Sequence, residues 1–339
     1  MRGQSGPLRL ALVVLAALIA GAAVMVRGQN VGPAVTPVVA DSSAVVHSPS
    51  AGRYATGADP VRVAVRFKRS PRAGLLFDLR SGRVLWSRGA GRRAPVASLA
   101  KMMTAIVVVD LAQPDELVPI TREALAQDGS KVGLLPPRRS LRLEILLHGL
   151  LLPSGNDAAV ALAQHVTGSV PEFVRQMNAA GRRMGLTCTS FSSPHGLQDA
   201  GNLSCARDLA VIARELLARP RLARIVGLQR VALPSLLPRT IKRGKRRRTV
   251  WRPGLLHMSN HNPLLRRGYP GTTGIKTGYT DAAGRCLVGT VRRRGATLGV
   301  VLLASPDPGA QATLLLDRGF AGLRRPGRIP GLRPRAPLQ

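Results

Sequence analysis

The amino-acid sequence predicts an α/β domain in which strands from both ends of the folded stretch enclose a helical middle. Three observations predict it: a hairpin signal at Ser81-Gly82, apolar helical runs through the centre, and strand-like sequence from Gly274 to Ser305 followed by a helix near Gln311 to Arg318. The stretch from Ala73 to about Gly322 is long enough to bury one substantial core with a helical subdomain, and it contains no internal repeat.

Ahead of that core the chain reads differently. Arg2 and Arg9 precede an apolar run of 17 residues, Leu10 to Val26, which carries Ala20-Gly21-Ala22 in the manner of a signal-peptidase site and closes on Arg27. Residues 1–27 are therefore expected to direct export. The run is longer than a typical signal core and shorter than the roughly 20 residues that span a bilayer, so cleavage and retention as a membrane anchor are both open. Residues 28–72, rich in Pro, Ala, Ser and Gly without periodicity, offer too little apolar surface to fold and read as a solvated spacer. Residues 73–322 form the folded domain, and 323–339 a basic tail rich in Pro and Arg.

Within the domain, Pro95 stands just upstream of the helical run Lys101 to Val109, which puts Ser98 in the first turn. Three residues apart on a helix, Ser98 and Lys101 share a face with Cβ atoms roughly 5–6 Å apart, a nucleophile within reach of a base. The backbone N–H at such a helix start is unpaired and, with the helix dipole, stabilises a developing oxyanion. Lysine is a poor base at its ordinary pKa of about 10.4, and lowering it by about 3 units takes roughly 4 kcal/mol. Burial and a second cation supply that shift. Arginine could not replace Lys101, because it does not lose its proton in a protein.

The next run, Leu143 to Leu152, is apolar and helical and stops at Pro153, leaving Ser154 and Asn156 on a loop between helices. A hydroxyl there relays a proton to a leaving amine, and an amide holds a substrate carbonyl. Further on, Gly271, Gly274 and Gly278 bracket Thr272-Thr273 and Ile275-Lys276-Thr277, a strand with room for another backbone to approach. An extended peptide adds alongside such a strand, with Thr277 and Lys276 toward its carboxylate, and Lys276 is the second cation that Lys101 needs. Taken singly, Ser-x-x-Lys is an ordinary helix start, Ser-Gly-Asn an ordinary turn and Lys-Thr-Gly an ordinary strand end. Their joint order and contexts make an acyl-transfer site built on an activated serine.

The chain from about Ala73 to Phe320 resembles the D-alanyl-D-alanine carboxypeptidases, the low-molecular-mass penicillin-binding serine peptidases. The similar stretches are Asp78 to Leu85, Leu152 to Ala159, Phe173 to Met177, Ser193-Pro194-His195-Gly196-Leu197, and Tyr269-Pro270-Gly271 through Ala283-Gly284. The resemblance implies the β-lactamase-like fold of penicillin-binding transpeptidases, an antiparallel sheet flanked by helices plus a helical subdomain. It implies Ser98 as acylated nucleophile, Lys101 as base, Ser154 and Asn156 as second catalytic element, and Lys276, Thr277, Gly278 and Tyr279 as substrate strand. The N–H groups of Ser98 and Tyr279 would form the oxyanion hole. Peptidoglycan stem peptides are then the substrates, β-lactams the covalent inhibitors, and no cofactor or metal is required. Two departures stand out: Ala100 replaces the usual threonine of the first motif, and Ser305-Pro306-Asp307-Pro308-Gly309 lacks the arginine that binds a substrate carboxylate in many members. The second departure keeps a D,D-endopeptidase in view as the alternative, with a β-lactamase or an inactive wall-binding protein behind it.

The formal net charge of +33 invites a nucleic-acid reading, but aromatic residues make up only 3% of the chain and no nucleic-acid motif is present. The basic stretch from Arg239 to Arg248 and the tail read as solvated loops that hold anionic lipid or wall polymers in a salt-sensitive way. Of three cysteines, Cys188 and Cys205 flank the loop carrying His195 and are expected to pair, leaving Cys286 a buried thiol; no Cys-x-x-Cys or histidine cluster suggests a metal. His148 reads as a packed helical residue and His195 as lining the site, while His257 and His261 fall in a loop without a role.

Overall fold

The computed structural model of the chain describes residues 63–197, 200–243 and 246–323. The expected export segment, most of the spacer and the basic tail lie outside the described residues.

Strands β1 (Ala73–Asp78) and β2 (Val84–Arg88) form the hairpin expected at Ser81-Gly82. Asp78 Oδ1 closes its turn by accepting from the N–H groups of Arg80 and Ser81 at 3.1 and 2.8 Å, and Gly82 takes the left-handed φ of 71°. After β3 (Ala94–Pro95) and one 3-10 turn (Ala97–Ala100) comes the helical middle. It comprises α1 (Lys101–Leu111), β4 (Leu117–Pro119), α2 (Arg122–Leu125), β5 (Ser140–Arg142), α3 (Leu143–Leu151), α4 (Asn156–Thr167), α5 (Val170–Arg183), β6 (Leu203–Ser204), α6 (Ala206–Leu217) and α7 (Pro220–Gly227). The chain then runs out and back through β7 (Arg230–Arg243) and β8 (Arg246–Ser259), turns in α8 (Pro263–Arg266), and ends in β9 (Thr272–Thr280), β10 (Gly284–Arg293), β11 (Ala296–Leu303) and α9 (Pro308–Leu323).

The main sheet is antiparallel with strand order β2-β1-β11-β10-β9, so the first and last strands of the domain meet at its centre, Leu75 opposite Val301. Alternation along β11 sends Leu298, Val300 and Leu302 to one face, where they pack with Leu315, Leu316 and Phe320 of α9. Val301 and Leu303 go to the other face, in one core with Leu209 and Ile212 of α6. Beside this layer α1 is buried continuously from Lys101 to Val108 and contacts α3, α4, α5 and α6, as a helix apolar on all sides must. Strand β9 is the sheet's outer edge, and the 3-10 turn that carries Ser98 packs against it.

Five expectations need correction. The packed region begins before Ala73: Val63 is buried and its N–H donates to the Leu85 carbonyl at 2.9 Å, so the end of the expected spacer joins the core. The basic stretch Arg239 to Arg248 is not loop; its described residues belong to β7 and β8, because cross-strand backbone bonding persists out to Arg243 opposite Arg246. His257 correspondingly lies on β8, and α9 exceeds the expected helix at both ends, with Asp307 Oδ1 accepting the Ala310 N–H at its start. Asn156 opens α4 rather than sitting in the loop before it. Among the described residues no helix is long and apolar enough to cross a membrane.

Candidate active site

The site forms where the start of α1, the α3–α4 turn and the edge strand β9 meet. Lys101 is fully buried, and its Nζ lies 2.9 Å from Ser98 Oγ, 2.6 Å from Asn156 Oδ1 and 2.8 Å from the His195 carbonyl. The amide of Asn156 cannot turn, since its Nδ2 donates to the Asp128 carbonyl at 2.5 Å, so Oδ1 is fixed toward the amine. Burial holds the Lys101 pKa well below its ordinary value, and nearby Lys276 lowers it further against the smaller opposing effect of Asp157. A neutral amine has two N–H groups and one lone pair. Two pure acceptors, Asn156 Oδ1 and the His195 carbonyl, take the N–H groups, which leaves the lone pair for the Ser98 hydroxyl.

Lys276, also buried, donates to Ser154 Oγ and to the Thr277 carbonyl, both at 2.9 Å. Desolvation alone brings its pKa to about 7. Ser154 and Ala97 adopt left-handed φ values of 68° and 49°, although neither is glycine. Such strain costs about 1–2 kcal/mol per residue and here falls at the residue before Ser98 and at Ser154 itself, the two hydroxyl-bearing turns that line one cleft.

Close approach explains the glycine of Lys-Thr-Gly. A Cβ on Gly278 would lie 2.9 Å from the Val96 carbonyl oxygen and 3.1 Å from the Ser98 nitrogen, so any side chain there would push β9 off the 3-10 turn. The same turn is crossed from the other side by Gly196, at φ 83°, where a Cβ would fall 2.0 Å from the Ala97 carbonyl oxygen. This loop carries His195, whose ring is held neutral with a pKa of about 4, by burial and then by Lys101. His195 therefore contributes to the site through its backbone. The loop is tied down by the disulfide between Cys188 and Cys205, while Cys286 is a buried cysteine on β10 outside that bond. His148 is packed in α3, its Nδ1 2.8 Å from the Glu144 carbonyl oxygen.

A cleft of about 420 Å³ opens onto Ser98, lined also by Ser130, Ser154, His261, Thr277, Gly278, Tyr279, Arg266 and Arg285. Lys101, Asn156 and Lys276 form its buried floor through the bonds above, so all eight residues singled out by sequence come together. Sequence reasoning missed three features. Asp157 accepts the N–H groups of Val132 and Gly133 through Oδ1 and Oδ2 at 2.9 and 3.0 Å, pinning the loop that brings Ser130 to the cleft. His261, expected to have no role, faces the cleft, its pKa lowered by burial, Lys276 and Arg266. The Ser305–Gly309 turn lacks an arginine as expected, yet Arg285 stands beside it, its Nη1 donating to the Pro306 carbonyl at 3.2 Å. The signal was present in the register: Arg285 lies directly across from Tyr279 on the neighbouring strand, and opposed residues share a face.

Among the described residues no carboxylate lines the cleft. The arrangement offers a serine hydroxyl with a basic partner, a second hydroxyl on a lysine, and cations at the rim, which suits attack on a carbonyl in an anionic peptide. Residues 64–306 match the family model for D-alanyl-D-alanine carboxypeptidase. A Mycobacterium tuberculosis D-alanyl-D-alanine carboxypeptidase, DacB2, is 36% identical over 255 residues, 73% of this chain and 81% of its own length. Bacillus subtilis DacF, of the same description, is 30% identical over 258 residues, and there the chain spans 62% of the relative's length against 74% of its own. Among solved structures, a Streptomyces DD-transpeptidase superposes with a TM-score of 0.67 at 28% identity, covering 76% of this chain and 100% of that one. The constellation on β9, α1 and the α3–α4 turn is thus carried by a penicillin-binding, transpeptidase-like fold, and the chain belongs to the D-alanyl-D-alanine carboxypeptidase family of serine peptidases.

Proposed function

We propose that the chain is an exported serine D,D-carboxypeptidase that removes the terminal D-alanine from peptidoglycan stem pentapeptides. The carrying observation is the buried Lys101 amine, 2.9 Å from Ser98 Oγ with both remaining donor directions taken up by Asn156 and His195. Ser98 Oγ attacks the carbonyl between the two D-alanines while its proton passes to the Lys101 lone pair. The N–H groups of Ser98 and Tyr279 stabilise the oxyanion. Collapse breaks the peptide bond, and the leaving amine takes the proton from Lys101 by way of Ser154, whose hydroxyl Lys276 holds; Lys101 is neutral again and free D-alanine departs. Water then attacks the Ser98 ester, giving a proton to Lys101, and as the trimmed peptide is released Lys101 returns that proton to Ser98 Oγ.

The cations at the rim favour trimming over cross-link cutting. A terminal D-alanine presents a free carboxylate, and Arg285 and Arg266 supply charge where the Ser305–Gly309 turn does not. A cross-link need not present such a carboxylate at the scissile end.

Intact mass of the full chain after incubation with a fluorescent penicillin, beside Ser98→Ala, tests the nucleophile. One adduct, absent in the variant, is the expected result; no adduct in a folded protein overturns the enzymatic reading. Release of free D-alanine from a pentapeptide, against cleavage of a cross-linked dimer, separates the two peptidases, and Arg285→Ala should raise KM for the pentapeptide about tenfold or more with kcat little changed.

A further inference from the structure

The long ribbon of β7 and β8 has no part in the chemistry above. Fourteen residue pairs join the strands, from Arg230 opposite Ser259 to Arg243 opposite Arg246, and the ribbon is bonded to no other strand among the described residues. At about 3.3 Å per residue it is roughly 45 Å long. Its root is anchored: Leu256 and Met258 are buried, with Val231 and Leu233 packed beside them. From Arg239 outward every described side chain is exposed, until Val250 on the return.

Between Arg230 and Ser259 the sequence holds nine Lys or Arg and no Asp or Glu. Among the described residues, Arg239, Lys242, Arg246, Arg247, Arg248 and Arg252 make no ion pair. Guarding the open edges of a ribbon against strand addition requires only an occasional lysine, so this density exceeds what protection demands.

The pairing register shows how the charge is distributed. Opposed residues share a face, and faces alternate along a strand. Arg252, Arg239 and Arg248 continue the face that is buried at the root, whereas Lys242 and Arg247 lie opposite each other on the other face. A flat bilayer would meet only one of these faces. The outer part of the ribbon also offers little to insert in lipid, Ile241 being its one exposed large apolar side chain. Charge on both faces of a narrow arm suits a flexible chain that wraps it.

We propose that this ribbon is a docking arm for a flexible polyanion of the cell wall, a polymer bearing phosphate or carboxylate at regular intervals. Its root adjoins the cleft: β8 ends at Ser259, and His261 already lines the site. A chain held on the arm therefore keeps the cleft close to the wall and raises the local concentration of stem peptides. Docking does not depend on the reaction at Ser98, so the two readings fail separately.

The test uses the full chain and a synthetic poly(glycerol phosphate), with affinity measured across a salt series. Arg239→Gln, Lys242→Gln, Arg247→Gln and Arg248→Gln are combined in one variant; a control of equal charge carries Arg122→Gln, Arg139→Gln, Arg142→Gln and Arg182→Gln. The arm variant should bind at least tenfold more weakly and lose about 3 from the slope of log affinity against log salt, at about 0.7 per contact. Ser98→Ala should bind as the parent does. Equal losses in the arm variant and the control would overturn the proposal in favour of diffuse charge. Tighter binding to phosphatidylglycerol vesicles, or to a single-stranded oligonucleotide of matched charge, would overturn it in favour of those partners.

Discussion

Two lysines in one buried site face opposite demands. In the proposed reaction Lys101 must be neutral to accept a proton, while Lys276 acts best as a cation toward Ser154 and an incoming carboxylate. Their environments separate them: Lys101 is pushed down by burial and by Lys276, whereas burial leaves Lys276 near 7. Acylation by a carboxylate-bearing penicillin should therefore rise with pH as Lys101 loses its proton and fall above about pH 7 as Lys276 loses its own. The alkaline fall should vanish with a probe whose carboxylate is esterified, a comparison that stopped-flow fluorescence can make. At Ser154 the strained φ of 68° separates geometry from chemistry. Both Ser154→Ala and Ser154→Gly remove the hydroxyl and should slow acylation, but the glycine variant should unfold at higher denaturant, by about 1 kcal/mol, because it alone tolerates that conformation.

At the scale of elements, the site is a set of close approaches between backbones. Gly278→Ala puts a methyl against the Val96 carbonyl and the Ser98 amide, so both acylation rate and thermal midpoint should fall together. Equal acylation in a fully stable variant would show that β9 can move without consequence. Removing the Cys188–Cys205 bond, 17 residues apart in sequence, should cost roughly 3 kcal/mol by chain entropy, measurable with Cys188→Ser and Cys205→Ser together.

These elements also show what the sequence could disclose. Ser98 with Lys101, the Ser154 turn and the Lys276 strand were legible because each depends on residues within a few positions of one another, where helix and strand spacing decide. The sheet was legible in outline because its strands are apolar and its turns marked. Arg285 was hidden because its place depends on which residue faces Tyr279 across a hairpin; His195 was legible as lining the site, but the role of its carbonyl was not, since every residue carries one. The ribbon was misread as loop because its outer strands lack a buried face, so the alternation that marks a strand is absent there.

For the molecule as a whole, the ribbon's outer half is separable from the core. Replacing residues 239–250 by a two-residue turn should leave the thermal midpoint and penicillin acylation unchanged, since none of that segment's described side chains is buried. A large drop in either would show that the arm supports the cleft.

The pairing of β1 with β11 sets an order of events during synthesis. The middle strand of the sheet is nearly the last to be made, and β1 must wait for it with Leu75, Leu76 and Phe77 uncovered. Ser98 and Lys101 emerge early, but the strand that carries Lys276 belongs to the same late run of three antiparallel strands, β9 to β11. Pairing across so long a separation is slow. A chain cut short before β11 would therefore lack its core as well as a complete site, so Ser98 and Lys276 meet only when synthesis of the domain is nearly finished.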